Sequence, residues 1–139
     1  MPLWQNAKMV LLVVFALIMS QDPPQHDVAR NVAAIEKATE WSSGIICGHI
    51  SWNGADVAIK QILEDLGPEA LPVLETLARS RKRVARAAAA YGVWTLFPDA
   101  DARPRRAKAI LTPLIHDQRL VPYAGITVAA FAKGQIKDL

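Results

Sequence analysis

Cys47 and His49 place a thiol and an imidazole two residues apart, close enough for a base to activate a nucleophile if the chain folds them together. Both lie in W-S-S-G-I-I-C-G-H-I-S-W-N-G, residues 41–54. A small ligand-binding or thiol-dependent site there is one reading. The plainer one makes Cys47, the single cysteine, a small buried hydrophobe beside Ile45 and Ile46, because one thiol closes no internal disulfide. Trp41 and Trp52, at the two ends of the segment, read as cover for the core rather than as a ligand platform. His26, His49 and His116 fall in no H-x-x-x-H or C-x-x-C spacing, so neither a metal site nor any cofactor is implied. There is no glycine-rich phosphate loop and no G-x-S-x-G elbow. The pairs Glu36/Glu40 and Glu64/Asp65 occupy solvent-like helix positions and read as surface charge, not as a general acid and base.

Charge is distributed more tellingly. Residues 21–78 carry 3 basic and 9 acidic side chains, whereas residues 79–108 carry 9 basic and 2 acidic. The basic residues form two clusters: Arg79, Arg81, Lys82, Arg83 and Arg86, then Arg103, Arg105, Arg106 and Lys108. Two solvated turns are the plainer reading; the functional one is a surface for an anionic partner such as an acidic protein, a phospholipid headgroup or a cell-wall polymer. A helix of about 14 residues between the clusters would hold them roughly 20 Å apart, on opposite edges of the fold. Arg83 and Arg86 in the first turn of that helix oppose its dipole, which favours a purpose for them.

The elements that must position these charges are helical. Val28, Val32 and Ile35 give one face of a helix over about 26–41, and Ile59, Ile62, Leu63 and Leu66 another over 55–66, stopped by Gly67. Pro68 opens a third, running to about Arg79 with Leu71, Leu74 and Leu77 on one face. An alanine-rich fourth spans Val84 to Leu96, ended by Pro98. Asp99 or Asp101 can cap a fifth helix containing Ile110, Leu111, Leu114 and Ile115, and a sixth runs from about Val121 to Lys133. Residues 41–54 are taken as a loop or short helix folded back on the domain, with a short extended run before an Asn53-Gly54 turn as the alternative.

The start of the chain reads differently. Lys8 precedes eleven apolar residues, Met9 to Met19, and Asp22-Pro23-Pro24 ends any helix there. The run is too short for a stable span, which needs about 20 residues, and suits the core of a signal peptide over residues 1–20. Left uncleaved, it would be an N-terminal anchor, and the charge asymmetry still sends the rest outside. Export, periplasmic or secreted, is the expected compartment. The 139 residues, 52% apolar and with 23 alanines, therefore leave about 119 for one domain, 21–139.

Within that domain the helices repeat. Glu69-Ala70-Leu71-Pro72-Val73-Leu74 matches the stretch from Ala109 to Ile115, with Pro72 and Pro113 41 residues apart. Val84, Ala87 and Ala88 match Val121, Ala124 and Gly125 at an offset of 37. The stretch L-G-P-E-A-L-P-V-L-E-T-L-A at 66–78, with Pro72, resembles the first helix of the short bacterial HEAT-repeat family, and Val84 with Ala87-Ala88-Ala89 is similar to its second. Asp117 and Val121 echo the family's turn aspartate and second-helix valine, while Ala85 and Pro122 stand where the family often has arginine. The resemblance covers about 55–135. It implies an all-α, α-α superhelix: a HEAT-like solenoid of about three antiparallel helix pairs with a curved interaction surface. Such pairs bury their apolar faces only by stacking.

These readings converge on an exported, non-enzymatic helical-repeat module that binds a protein, through its curved face or its basic turns. Self-association is a further reading of the stack. Nucleic acid is disfavoured, since an exported protein rarely meets it and the two clusters should lie apart.

Overall fold

The computed structural model describes residues 24–42, 44–46, 49–51 and 54–136. The expected signal segment, Cys47 and Trp52 lie outside these residues. The fold is predominantly helical. In chain order it consists of α1 (Pro24–Lys37), strands β1 (Gly44–Ile46) and β2 (His49–Ser51), α2 (Ala55–Leu66), a 3-10 turn (Gly67–Ala70), α3 (Leu71–Ala78), α4 (Arg83–Leu96), α5 (Arg105–Leu111), a second 3-10 turn (Leu114–His116) and α6 (Val128–Ala132).

Local chemistry explains most boundaries. α2 turns Ala55, Ala58, Ile59, Ile62 and Leu63 inward, and it stops where Gly67 adopts φ 54° and donates its N–H to the Leu63 carbonyl. Pro68 sits in the first turn of the 3-10 segment and Pro72 in the first turn of α3, so the two prolines open elements instead of kinking one. Asp99 accepts the N–H of Asp101 in a turn; α5 instead begins after Pro104 with no side-chain cap.

α4 is the axis of the molecule. It packs against each of the other five α-helices of the described residues, and Val84, Ala85, Ala87, Ala88, Ala89, Ala90, Gly92 and Val93 are all buried. Only small side chains let neighbours approach a helix from so many sides, which is the structural meaning of the alanine run. Gly92 marks the closest approach. A Cβ built there would lie 2.5 Å from Cδ2 and 2.9 Å from Cδ1 of Leu74, a side chain with no exposed surface. Gly92→Ala should therefore destabilise by about 1 kcal/mol, the overpacking cost of about 1–3 kcal/mol exceeding the gain of about 1 kcal/mol in helix propensity. A lowered urea midpoint with an unchanged slope checks it.

Three expectations are corrected. Within 41–54 the described residues form two antiparallel strands, with Gly44 opposite Ser51, Ile45 opposite Ile50 and Ile46 opposite His49, nearer the extended run than the loop or short helix. α1 ends at Lys37, and beyond it Glu40 bridges Gly54 in parallel register. The sixth helix does not start at Val121. Residues 120–126 form a loop closed by the Leu120–Thr127 bridge and by the Val121 N–H to the Ile126 carbonyl at 2.9 Å. Tyr123 and Gly125 both take positive φ, 59° and 75°, which no helix accepts. Thr127 then caps α6, its hydroxyl accepting the Ala130 N–H at 3.1 Å.

The match of Val84, Ala87 and Ala88 to Val121, Ala124 and Gly125 does not hold, because the first three lie in α4 and the second three in this loop. Ser80 and Asp117, 37 residues apart, each accept the N–H two residues on, from Lys82 and Arg119. Leu120 to Ile126 then intervene, and V-A-R-A-A at 84–88 matches V-A-A-F-A at 128–132, an offset of 44. In both segments the central residue is partly exposed and the other four are buried.

Candidate functional site

The turns after α1 and α3, together with residues 116–119, meet at one edge of the molecule. Asp117 holds this junction. Its side chain is 6% exposed and accepts from Nε and Nη2 of Arg119 at 2.9 and 2.7 Å and from the Arg119 N–H at 3.1 Å. Arg86 Nε of α4 lies 2.9 Å from Oδ2. The Asp117 carbonyl accepts the N–H of Ala129 in α6 at 2.7 Å. The hydrogen bonds from the Arg119 guanidinium hold the carboxyl below its ordinary value against the opposing effect of burial, helped by the Arg119 N–H and the charges of Arg119 and Arg86.

Arg119 reaches onward. Its Nη1 donates to the Arg81 carbonyl at 2.9 Å, which sets its guanidinium beside the α3–α4 turn. That turn is pinned from the other side by Ser80, whose hydroxyl donates to Glu36 Oε2 at 3.0 Å, and by Lys82 Nζ, which donates to the Glu36 carbonyl. The resulting concavity, about 350 Å³, is lined by Lys37, Thr39, Arg81, Lys82, Arg83 and Arg119 over Ala38 and Val84. No carboxylate of the described residues lines it.

A second concavity, about 210 Å³, runs between α3 and α5, with Ala78, Ala109, Ile110 and Pro113 as its floor and Glu75, Arg79 and Arg106 as its polar lining. Arg106 pairs with Glu75 across it.

The predicted basic residues thus divide. Arg81, Lys82 and Arg83 line the cationic concavity. Arg86 is turned toward Asp117 and donates Nη1 to the Ala78 carbonyl at 3.3 Å, so it braces the turn. Arg103 is 7% exposed, donates Nε and Nη2 to the Phe97 carbonyl and stacks 4.3 Å over the Trp94 ring; it closes the end of α4 and presents nothing to a partner. Arg105 and Lys108 are exposed on α5. The two clusters are not wholly on opposite edges, because Arg79 from one and Arg106 from the other line the α3–α5 groove. Lys37 and Arg119 were missed by sequence reasoning. Lys37 closes a helix in the acidic part of the chain, and the one signal for Arg119 was its place two residues after Asp117.

Cys47 lies outside the described residues and His49 falls in β2. Trp41 belongs to the core, 2% exposed. Among the described residues no group of three histidine, cysteine or carboxylate side chains gathers as a metal requires, and no helix is long and apolar enough to cross a membrane. What these elements define is a predominantly helical protein with a cationic edge and a charged groove. Comparison with protein-family models, with curated proteins and with solved structures finds no match.

Proposed function

We propose that this protein is an exported, non-enzymatic helical-repeat module, HEAT-like in its stacking of helix pairs, and that it binds an acidic protein segment in the groove between α3 and α5. One observation carries the reading: Arg79 and Arg106 flank an apolar floor of Ala78, Ile110 and Pro113. An aspartate or glutamate of a partner would meet the exposed Arg79, which has no ion pair among the described residues, while its aliphatic neighbour covers Ile110. The repeated burial pattern at 84–88 and 128–132 supports the stacked-pair reading, and the charge and apolar pattern of residues 1–20 supports export.

Ala109 offers a clean test because it is exposed in this groove. Peptides selected from a random library against the full chain should be enriched in an acidic residue beside an aliphatic one. Their affinity should fall at least about tenfold with Ala109→Trp, which fills the groove, or with Arg79→Glu, the loss expected when one charge-assisted contact goes. Selected peptides of neutral composition, or binding indifferent to Ala109→Trp, would sink the reading.

A further inference from the structure

We propose that the concavity lined by Lys37, Arg81, Lys82, Arg83 and Arg119 is a phosphoryl-binding site, taking a phosphate group that is free in solution or carried by a lipid headgroup. It is separate from the α3–α5 groove and does not depend on the reading given to that groove.

Three properties of the concavity point to such a ligand. The first is convergence. Its five cations come from three separate stretches of chain: the end of α1, the turn before α4 with that helix's first residue, and the segment after the second 3-10 turn. Cations arriving from several directions suit a group with three or four charged oxygens better than the two oxygens of a single carboxylate, and arginine forks pair two oxygens at once.

The second is that the fold leaves most of the positive charge uncompensated. Asp117 offsets Arg119 alone of the five and also lies against Arg86 outside the concavity, while Glu36 Oε2 accepts from Ser80. Lys37, Arg81 and Arg83 have no ion pair among the described residues. Like charges held in one concavity repel, and a dianion relieves that repulsion as it binds.

The third is that key members are held in place before any ligand arrives. Arg119 is gripped by Asp117 and by the Arg81 carbonyl, and Lys82 is tied through Nζ to the Glu36 carbonyl. Little ordering of these side chains is then needed on binding. Leu120, next to Arg119, is 56% exposed and would meet the acyl region if the phosphate were a headgroup.

The test uses the full chain and two probes. Inorganic pyrophosphate is titrated by calorimetry, and phosphatidylcholine vesicles doped with phosphatidic acid are co-sedimented with the protein, vesicles of phosphatidylcholine alone giving the baseline. Arg81→Ala/Arg83→Ala removes two exposed cations that have no ion pair among the described residues, so its melting temperature should match that of the unmodified chain. Its affinity for whichever probe binds should fall at least about tenfold, while Arg106→Glu, an equal charge change in the other groove, should have little effect. Saturable pyrophosphate binding with this pattern identifies a soluble phosphate, and vesicle binding alone with this pattern identifies a headgroup; both together also support the site. No saturable binding to either probe, or an equal loss with Arg106→Glu, overturns it.

Discussion

Trp41→Ala should lower the stability of this protein by about 3–5 kcal/mol, the range for losing a large aromatic from a packed interior. Trp41 is 2% exposed. Its ring packs edge-on against Phe131 of α6, with centroids 4.8 Å apart, and tilted against Tyr91 of α4 at 5.3 Å. The residue also joins segments remote in sequence. Its N–H donates to the Pro122 carbonyl at 2.8 Å and its carbonyl accepts the Asp56 N–H at 2.9 Å. Loss of the indole removes the filling between α4, α6 and the chain that leads into β1. For a domain of this size the melting temperature should drop by about 10 °C or more. Trp41→Phe should recover part of the loss, because a smaller ring still meets Phe131 and Tyr91. An alanine variant melting within a few degrees of the unmodified chain would show that the site collapses around the gap, or that Trp41 is not the keystone its contacts make it.

Asp117→Asn should cost about 2–3 kcal/mol at neutral pH, the range for removing a mostly buried charged acceptor whose partners remain. The value sits below that of a fully buried pair because the Arg119 side chain is 48% exposed and that of Arg86 21%. The Asp117 carboxyl is held below its ordinary value in the fold, chiefly by hydrogen bonds from Arg119. Unfolded, it titrates near pH 3.9. A depressed folded value means that the stabilisation is fully present above the unfolded value and is lost as pH falls through the folded one. The stability difference between the unmodified chain and Asp117→Asn should therefore be constant from neutral pH down to about 5, then narrow on further acidification. Urea unfolding of both proteins along that series measures it. A difference that stays constant to the lowest pH at which both fold would remove the charge from the explanation.

The helices were legible where local chemistry decides them. α2 follows from the apolar spacing of Ile59, Ile62 and Leu63 and from the stop at Gly67, and α4 follows from an alanine-rich run ended before Pro98. The sixth helix was overextended because Val121 and Ala124 fit a helical period. Pro122 and Gly125 were already turn signals, and Thr127 a capping signal, but the Leu120–Thr127 bridge that chooses between them is a pairing across six intervening residues. The strand pair at 44–46 and 49–51 was weakly marked for the same reason: three-residue strands have almost no periodicity of their own, and the chain on either side is stitched to Gly54, Asp56 and Pro122 by backbone hydrogen bonds.

The candidate sites were legible as residue types and not as groups. Nine basic side chains stood out in the sequence, yet Arg103 is consumed by the Phe97 carbonyl and the Trp94 ring, and Arg86 by Asp117 and Ala78. Lys37 and Arg119, from stretches with little positive charge, join Arg81, Lys82 and Arg83 in one concavity.

By itself, then, the sequence determined the helical character, the small-residue axis of α4 and the excess of positive charge in the middle of the chain. All three depend on neighbours within a few residues, through helical period, backbone freedom and composition. Only the tertiary structure decided which charges meet, which are spent on carbonyls and which stay exposed. Coulomb attraction and burial depend on distance in space, and the packing of α3 beside α5, and of residues 116–119 beside the α3–α4 turn, sets those distances without regard to separation along the chain.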